Sequence, residues 1–266
     1  QYPWSPFPAS LMSPVWPSEY IGLSDAGTKE FEIMRNTARV LLDRDVYQLG
    51  KLGCSGHAPA PEMAARLGMV QDMPKILHRF ASAYQIFPNG LMHFSDVSQN
   101  QQWSMIDRPR VLSPNVMATQ WEQIHEKTIG DRTEIPSEWF LHCYFEAAAN
   151  LAAGLNEMLL QSHRGLLRVF PAMPHNLDAM FTLWAEGGFT VTSEMLHGEI
   201  RYVAIHSERG EVCCLADPWP GETAALRIGH SYCEFERVAD SIRFETVPAG
   251  DYILFRSEFP PECYYH

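Results

Sequence analysis

The sequence predicts an α+β protein in two parts: a helical array over residues 1–174 and an antiparallel β-sandwich over residues 175–266. Two observations lead there. Up to Pro174, apolar residues recur at three- and four-residue steps in stretches closed by Gly or Pro, the pattern of amphipathic helices joined by turns. After Pro174, short β-rich runs follow one another at intervals of about ten residues with turn signals between them. A chain of 266 residues accommodates two ordinary domains. There is no internal repeat and no low-complexity tract.

Composition narrows the functional classes. A hydrophobic content of 46% with 12% aromatics provides enough apolar surface for packed cores. A net charge of −12 argues against nucleic acid and anionic membrane as partners, since both reward basic patches. No apolar run is long enough to span a bilayer. The opening QYPWSPFPAS has no basic n-region or apolar h-region, so no signal peptide is readable and the compartment stays open. Cys54, Cys143, Cys213, Cys214, Cys233 and Cys263 include no C-x-x-C pair, which points to free, mostly core thiols. Neither a metal site nor a cofactor is expected.

Residues 1–23 carry Pro3, Pro6, Pro8, Pro14 and Pro17 with Trp4, Phe7 and Trp16, and read as an extended arm whose aromatics pack on something. Ser24-Asp25 is the expected N-cap of a helix running to about Leu49, with Phe31, Met34, Ala38, Leu41 and Leu42 on its apolar side. A short helix from Pro61 to Leu67 closes at Gly68, and another runs from Met73 to Ile86. Residues 88–114 have no periodicity. Their Trp103, among His93, Asp96 and Asn100, is either a packed ring in a long excursion or a sugar-facing platform. His57, in Ser55-Gly56-His57-Ala58-Pro59, is a second candidate for a site mouth. A helix over Asn115 to Ile129 precedes the longest one, Ser137 to His163. The small residues of that last helix (Ala147, Ala148, Ala149, Ala152, Ala153, Gly154) let neighbours approach closely.

Glu146 is the single acidic residue between Trp139 and Asn156, the apolar first part of this stretch. A buried carboxylate must be neutral, hydrogen-bonded or paired, which is also the setting that makes an acid or base. His142 lies one helical turn before it at i and i+4. The pair reads either as chemistry facing a substrate or as a local hydrogen bond. Trp139 and Asn150, on the same segment, are further candidates for substrate binding. Beyond Pro174, strands are expected at Phe189–Ser193, Glu199–His206, Glu211–Leu215, Thr223–Ile228, Ser241–Val247 and Asp251–Phe255. The histidines there, His206 among them, read as surface or structural.

The wording Glu157-Met158-Leu159-Leu160-Gln161-Ser162-His163, then Arg168-Val169-Phe170-Pro171-Ala172-Met173-Pro174, then Ala185-Glu186-Gly187-Gly188-Phe189 resembles glycoside hydrolase family 95, the α-L-fucosidase and α-L-galactosidase group. The resemblance runs from Trp139 to about Leu215. It implies the C-terminal half of an (α/α)6 helical toroid followed by a β-sandwich. It also implies hydrolysis of an α-L-fucoside- or α-L-galactoside-like linkage with inversion, in a secreted or periplasmic setting. Counting back from Glu157 puts Glu146 where the family has the aspartate that helps activate water. His142, Trp103, Trp139, His57 and Asn150 then become expected substrate-binding residues.

The chain also departs from the family. Glu146 is followed by alanines where the family has Gly-Asn-Phe-Gly. The family's general acid belongs to upstream helices, so the resemblance implies an N-terminal segment, a second chain or a homo-oligomer that completes the barrel. Two alternatives remain open: another helical-toroid carbohydrate enzyme such as a polysaccharide lyase, or a non-catalytic sugar-binding relative.

Overall fold

The computed structural model describes residues 11–43, 60–84 and 145–261. The chain divides into two compact units, one comprising residues 1–67 and 72–155, the other residues 68–71 and 156–266.

In the first unit the arm differs from its expected extended form. Residues 11–22 coil into turns, with the amides of Val15 and Trp16 both donating to the Met12 carbonyl at 2.8 and 3.0 Å. The Trp16-Pro17 bond is cis. Proline density excludes helix but permits turns, and burying Met12 and Val15 completely favours a coiled over a stretched path. Trp16 packs as expected: the Arg66 guanidinium lies 4.5 Å from its ring centroid. The same guanidinium donates to the carbonyls of Val15 at 3.0 Å and Ser18 at 3.4 Å. It also pairs with Glu19 at 3.7 Å.

Helix α1 (Lys29–Asp43) begins later than expected. Asp25 accepts from the Gly22 amide at 2.9 Å and so caps a 3-10 turn, Leu23–Asp25, instead. Gly27, at φ +88, then redirects the chain. Thr28 is the cap of α1, its hydroxyl accepting from the Phe31 amide at 3.2 Å. Phe31 and Ala38 are buried, while Met34, Leu41 and Leu42 are half-buried. The expected continuation to Leu49 lies outside the described residues.

Helix α2 (Ala60–Arg66) is buried along its whole length, and Gly68 at φ +62 ends the turn after it as expected. Helix α3 (Met73–Tyr84) follows and packs on α2. Helix α4 (Phe145–Leu159) is the described part of the long helix. A Cβ on its Gly154 would fall 2.1 Å from the Pro61 Cβ of α2, so these helices meet at a distance only glycine allows. The small-residue reading of the segment is borne out at that position.

Helix α4 stops at Leu159 rather than His163. Leu160–Gln161 is strand β1, paired antiparallel with β2 (Arg168–Val169), because a backbone partner is available four residues past a 3-10 turn, His163–Gly165.

In the second unit all six expected strands are present: β4 (Phe189–Leu196), β5 (Glu199–Ser207), β6 (Cys213–Ala216), β7 (Ala224–Ile228), β10 (Ser241–Phe244) and β11 (Gly250–Arg256). Three strands escaped the sequence reading: β3 (Ala179–Ala185), β8 (Ser231–Cys233) and β9 (Glu236–Val238). The strands form a six-stranded sheet in the order β3-β4-β5-β11-β7-β8 and a three-stranded sheet in the order β6-β10-β9. Every pairing in both sheets is antiparallel. Val191, Val203, Ile205 and Leu254 from one sheet and Leu215, Ile242 and Phe244 from the other are fully or almost fully buried. Phe244 meets Tyr252 across the sheets at 5.5 Å between ring centroids. The architecture is therefore α+β, with a two-sheet antiparallel sandwich as its β part.

Turn chemistry sets the registers. His197 and Gly198 both take positive φ, 54 and 78, the two-residue turn that matches strand twist. The His197 amide donates to Asp178 at 2.6 Å, which helps hold a non-glycine residue in that conformation.

Candidate functional site

The chemistry expected from the sequence centres on helix α4. Positions 146 and 150 lie one helical turn apart on it, and Asn150 is buried. His142, Trp139, Trp103 and His57 lie outside the described residues. Of the expected site, then, α4 supplies the helical frame and Asn150 the described side chain.

The end of α4 is built from the same letters that carry the family resemblance. The Phe170 amide donates to the Leu159 carbonyl at 2.6 Å, and the Ala172 amide to that of Met158 at 3.4 Å. The segment after β2 thus folds back on the helix's last turn. The Gln161 side-chain amide donates to the Glu157 carbonyl at 3.1 Å, satisfying one of the orphan acceptors at a helix C-terminus. His163 and Arg168 are buried beside it in sequence. The Ser162 hydroxyl accepts from the Glu186 amide at 3.1 Å, so the Gln-Ser-His wording and the Glu-Gly-Gly-Phe wording meet in space. Phe170, at φ 53, stacks edge-on to Phe181 of β3 at 5.1 Å. Leu167 then bridges to β6: its amide donates to the Cys214 carbonyl at 2.9 Å and its carbonyl accepts from the Ala216 amide at 2.8 Å.

Electrostatics in the β unit are local. Burial pushes the Cys213 thiol well above its ordinary range, so it is a neutral core residue with no nucleophilic character. Cys214 and Cys233 are free and half-buried. A hydrogen bond and ion pair with Arg256 hold the Glu199 carboxyl below the usual range. Among the described residues no group of three His, Cys, Asp or Glu is disposed to hold a metal ion, and no helix is long and apolar enough to cross a membrane.

Trp184 on β3, which the sequence did not single out, is 70% exposed. His206 on β5, expected to be surface or structural, is paired at 2.7 Å with Asp251 on β11, a partner the sequence did not indicate. The signal for Trp184 was the alternation Met180-Phe181-Thr182-Leu183-Trp184. His206 and Asp251 are distant in sequence, and only the β5–β11 register joins them.

No protein-family model matches the chain, and no curated protein does. Solved structures with partial likeness include a family 39 glycoside hydrolase from the gut symbiont Bacteroides cellulosilyticus WH2, at 12% identity and TM-score 0.25 over 32% of this chain and 18% of that one. A structure of AmyP in complex with maltotriose matches at 6% identity and TM-score 0.24, over 45% and 23% respectively. A GH127 β-L-arabinofuranosidase from Geobacillus stearothermophilus T6 matches at 13% identity and TM-score 0.27, over 42% and 18%. This chain spans less than a quarter of each of those proteins. A likeness of this extent assigns no function.

Proposed function

We propose that the protein is a glycoside hydrolase of complex carbohydrate, acting on an α-L-fucoside- or α-L-galactoside-like linkage with inversion. In this reading residues 1–174 belong to an (α/α)6 toroid. Glu146 activates the attacking water, and His142, Trp139, Trp103, His57 and Asn150 line the substrate. Inversion places the general acid about 6.5–9.5 Å from that carboxylate, with a water between them. The acid comes from sequence or a chain outside these residues.

The observation that carries the reading is the joint after helix α4. The three stretches of family-like wording form one hydrogen-bonded unit through Phe170 to Leu159, Gln161 to Glu157 and Glu186 to Ser162. In this chain the three resembling stretches thus have one structural role, at the end of helix α4.

The test is hydrolysis of aryl α-L-fucoside and aryl α-L-galactoside by the intact protein, together with any chain that copurifies. Glu146→Gln should lower kcat at least about a hundredfold, the usual contribution of a positioned base. Undiminished turnover by Glu146→Gln would remove Glu146 from the mechanism. A wild type inert on both glycosides would favour the second reading, a sugar-binding relative without catalysis. The alanines after Glu146, in place of the family's Gly-Asn-Phe-Gly, are the observation on that side.

A further inference from the structure

The outer face of the six-stranded sheet carries an unassigned arrangement of side chains. Residues directly opposite each other in a sheet share a face, and the registers give two rows. One row runs Trp184, Thr190, His206, Asp251 across β3, β4, β5 and β11. The next runs Thr182, Thr192, Ala204, Ile253 across the same strands. At about 4.8 Å between strands, each row is about 14 Å wide.

Side-chain size varies along these rows. Trp184 and Met180, 70% and 64% exposed, stand on the edge strand. Thr190, Thr192 and Ala204 make a low floor beside them. His206 and Asp251 form the far side, linked at 2.7 Å, with Glu208 3.9 Å from the other ring nitrogen of His206. Thr182 and Thr192 are linked through their hydroxyls at 2.8 Å.

From this arrangement we infer that the face binds a neutral glycan, with a pyranose ring stacked on Trp184 and its hydroxyls bonded to the threonines and the His206–Asp251 pair. Three features favour that ligand. An exposed indole offers a flat apolar ring with one N–H donor, which the apolar face and hydroxyl rim of a sugar match. Threonine hydroxyls donate and accept alike, and carboxylate and imidazole add directional acceptors, as a ring edged with hydroxyls requires. Asp251, Glu208 and Glu194 put negative charge beside Trp184 and the threonines, while the cation of this face, Arg227, lies beyond Ile253 on β7 with its guanidinium over Phe255, so this part of the face disfavours uronate and sulfated polymers. A second copy of this chain, adding to the edge of β3, is the competing occupant. It has no use for the polar far side. The inference is independent of the catalytic reading: it needs no residue of helix α4.

The experiment is native affinity electrophoresis of the full chain in gels containing xyloglucan, galactomannan or laminarin, with polygalacturonate as the anionic control. The wild type should be retarded by at least one neutral polymer and unaffected by polygalacturonate. Trp184→Ala should weaken the interaction at least tenfold, Trp184→Phe should keep most of it, and Thr192→Val should cost about fivefold, one neutral hydrogen bond. Trp184 is a surface residue, and circular dichroism of Trp184→Ala should match the wild type. Glu146→Gln should be retarded like the wild type even where it has lost turnover, which separates this site from the catalytic one. The proposal is overturned if no neutral polymer retards the protein, if polygalacturonate does so equally, or if Trp184→Ala migrates like the wild type. It is overturned too if Trp184→Ala instead turns a dimer into a monomer.

Discussion

Single residues in this protein show how far context decides chemistry. Cys213 and Cys214 are neighbours in sequence, yet strand alternation buries one completely and leaves the other half-exposed. The sequence supported free thiols here but did not say which was core. Glu199 offers a test with a definite sign. Its folded carboxyl is held below the ordinary value by Arg256, so the folded state binds a proton there less readily than the unfolded one. The stabilisation is therefore present above the ordinary glutamate range and is lost as pH falls through the lowered value. Urea midpoints of wild type and Glu199→Gln should differ at pH 7 and draw together in acid below the ordinary glutamate range. The effect is small because the pair is exposed on the Glu199 side. An equal gap at both pH values would show that Arg256 does not discriminate the ionised form. Nothing in the sequence paired these two residues, which lie at neighbouring ends of the adjacent strands β5 and β11.

At the scale of elements, helix α4 carries, at Gly154, the tightest approach among the described glycines. Gly154→Ala would put a methyl group inside the van der Waals envelope of Pro61, and the helices would have to separate. Although alanine is the better helix former by about 1 kcal/mol, overpacking of this severity costs about 1–3 kcal/mol. The variant should therefore lower the urea midpoint of the helical unit, and a rise would mean that α2 yields freely. This site was legible in outline, since a run of alanines ending in glycine announces a slender helix. The end of the helix was not. Glu157 to His163 has helical spacing, but the chain pairs Leu160 and Gln161 with Val169 and Arg168 because a strand partner lies just beyond a turn. Tertiary pairing overrides local periodicity in this case. Strands β8 and β9 were missed for a related reason. They are three residues each and mostly exposed, so neither has a hydrophobic alternation long enough to read.

For the molecule as a whole, the sequence announced the change from helix to sheet and the six principal strands, because hairpin turns carry strong local signals. It did not announce how the strands order into sheets, since β11 lying between β5 and β7 is a long-range choice. The β unit has its own two-sheet core and its own ladder of hydrogen bonds. A fragment of residues 156–266 is accordingly expected to fold alone, with a single cooperative urea transition and dispersed amide resonances. A featureless amide spectrum would show that the sandwich depends on the helical unit. The catalytic reading and the glycan face belong to different units, so loss of one leaves the other measurable.

The bridge from Leu167 to strand β6 has a consequence in time. Leu167 emerges early in the unit, but its partners are the backbone groups of Cys214 and Ala216, which are themselves steadied by pairing with β10. The hairpins β3–β4–β5 are contiguous in sequence and close quickly, whereas loop closure over the span from 167 to 215 waits for downstream chain. The bridge that ties the segment after α4 to β6 therefore closes later than the local contacts of Phe170 and Ala172 with the helix's last turn.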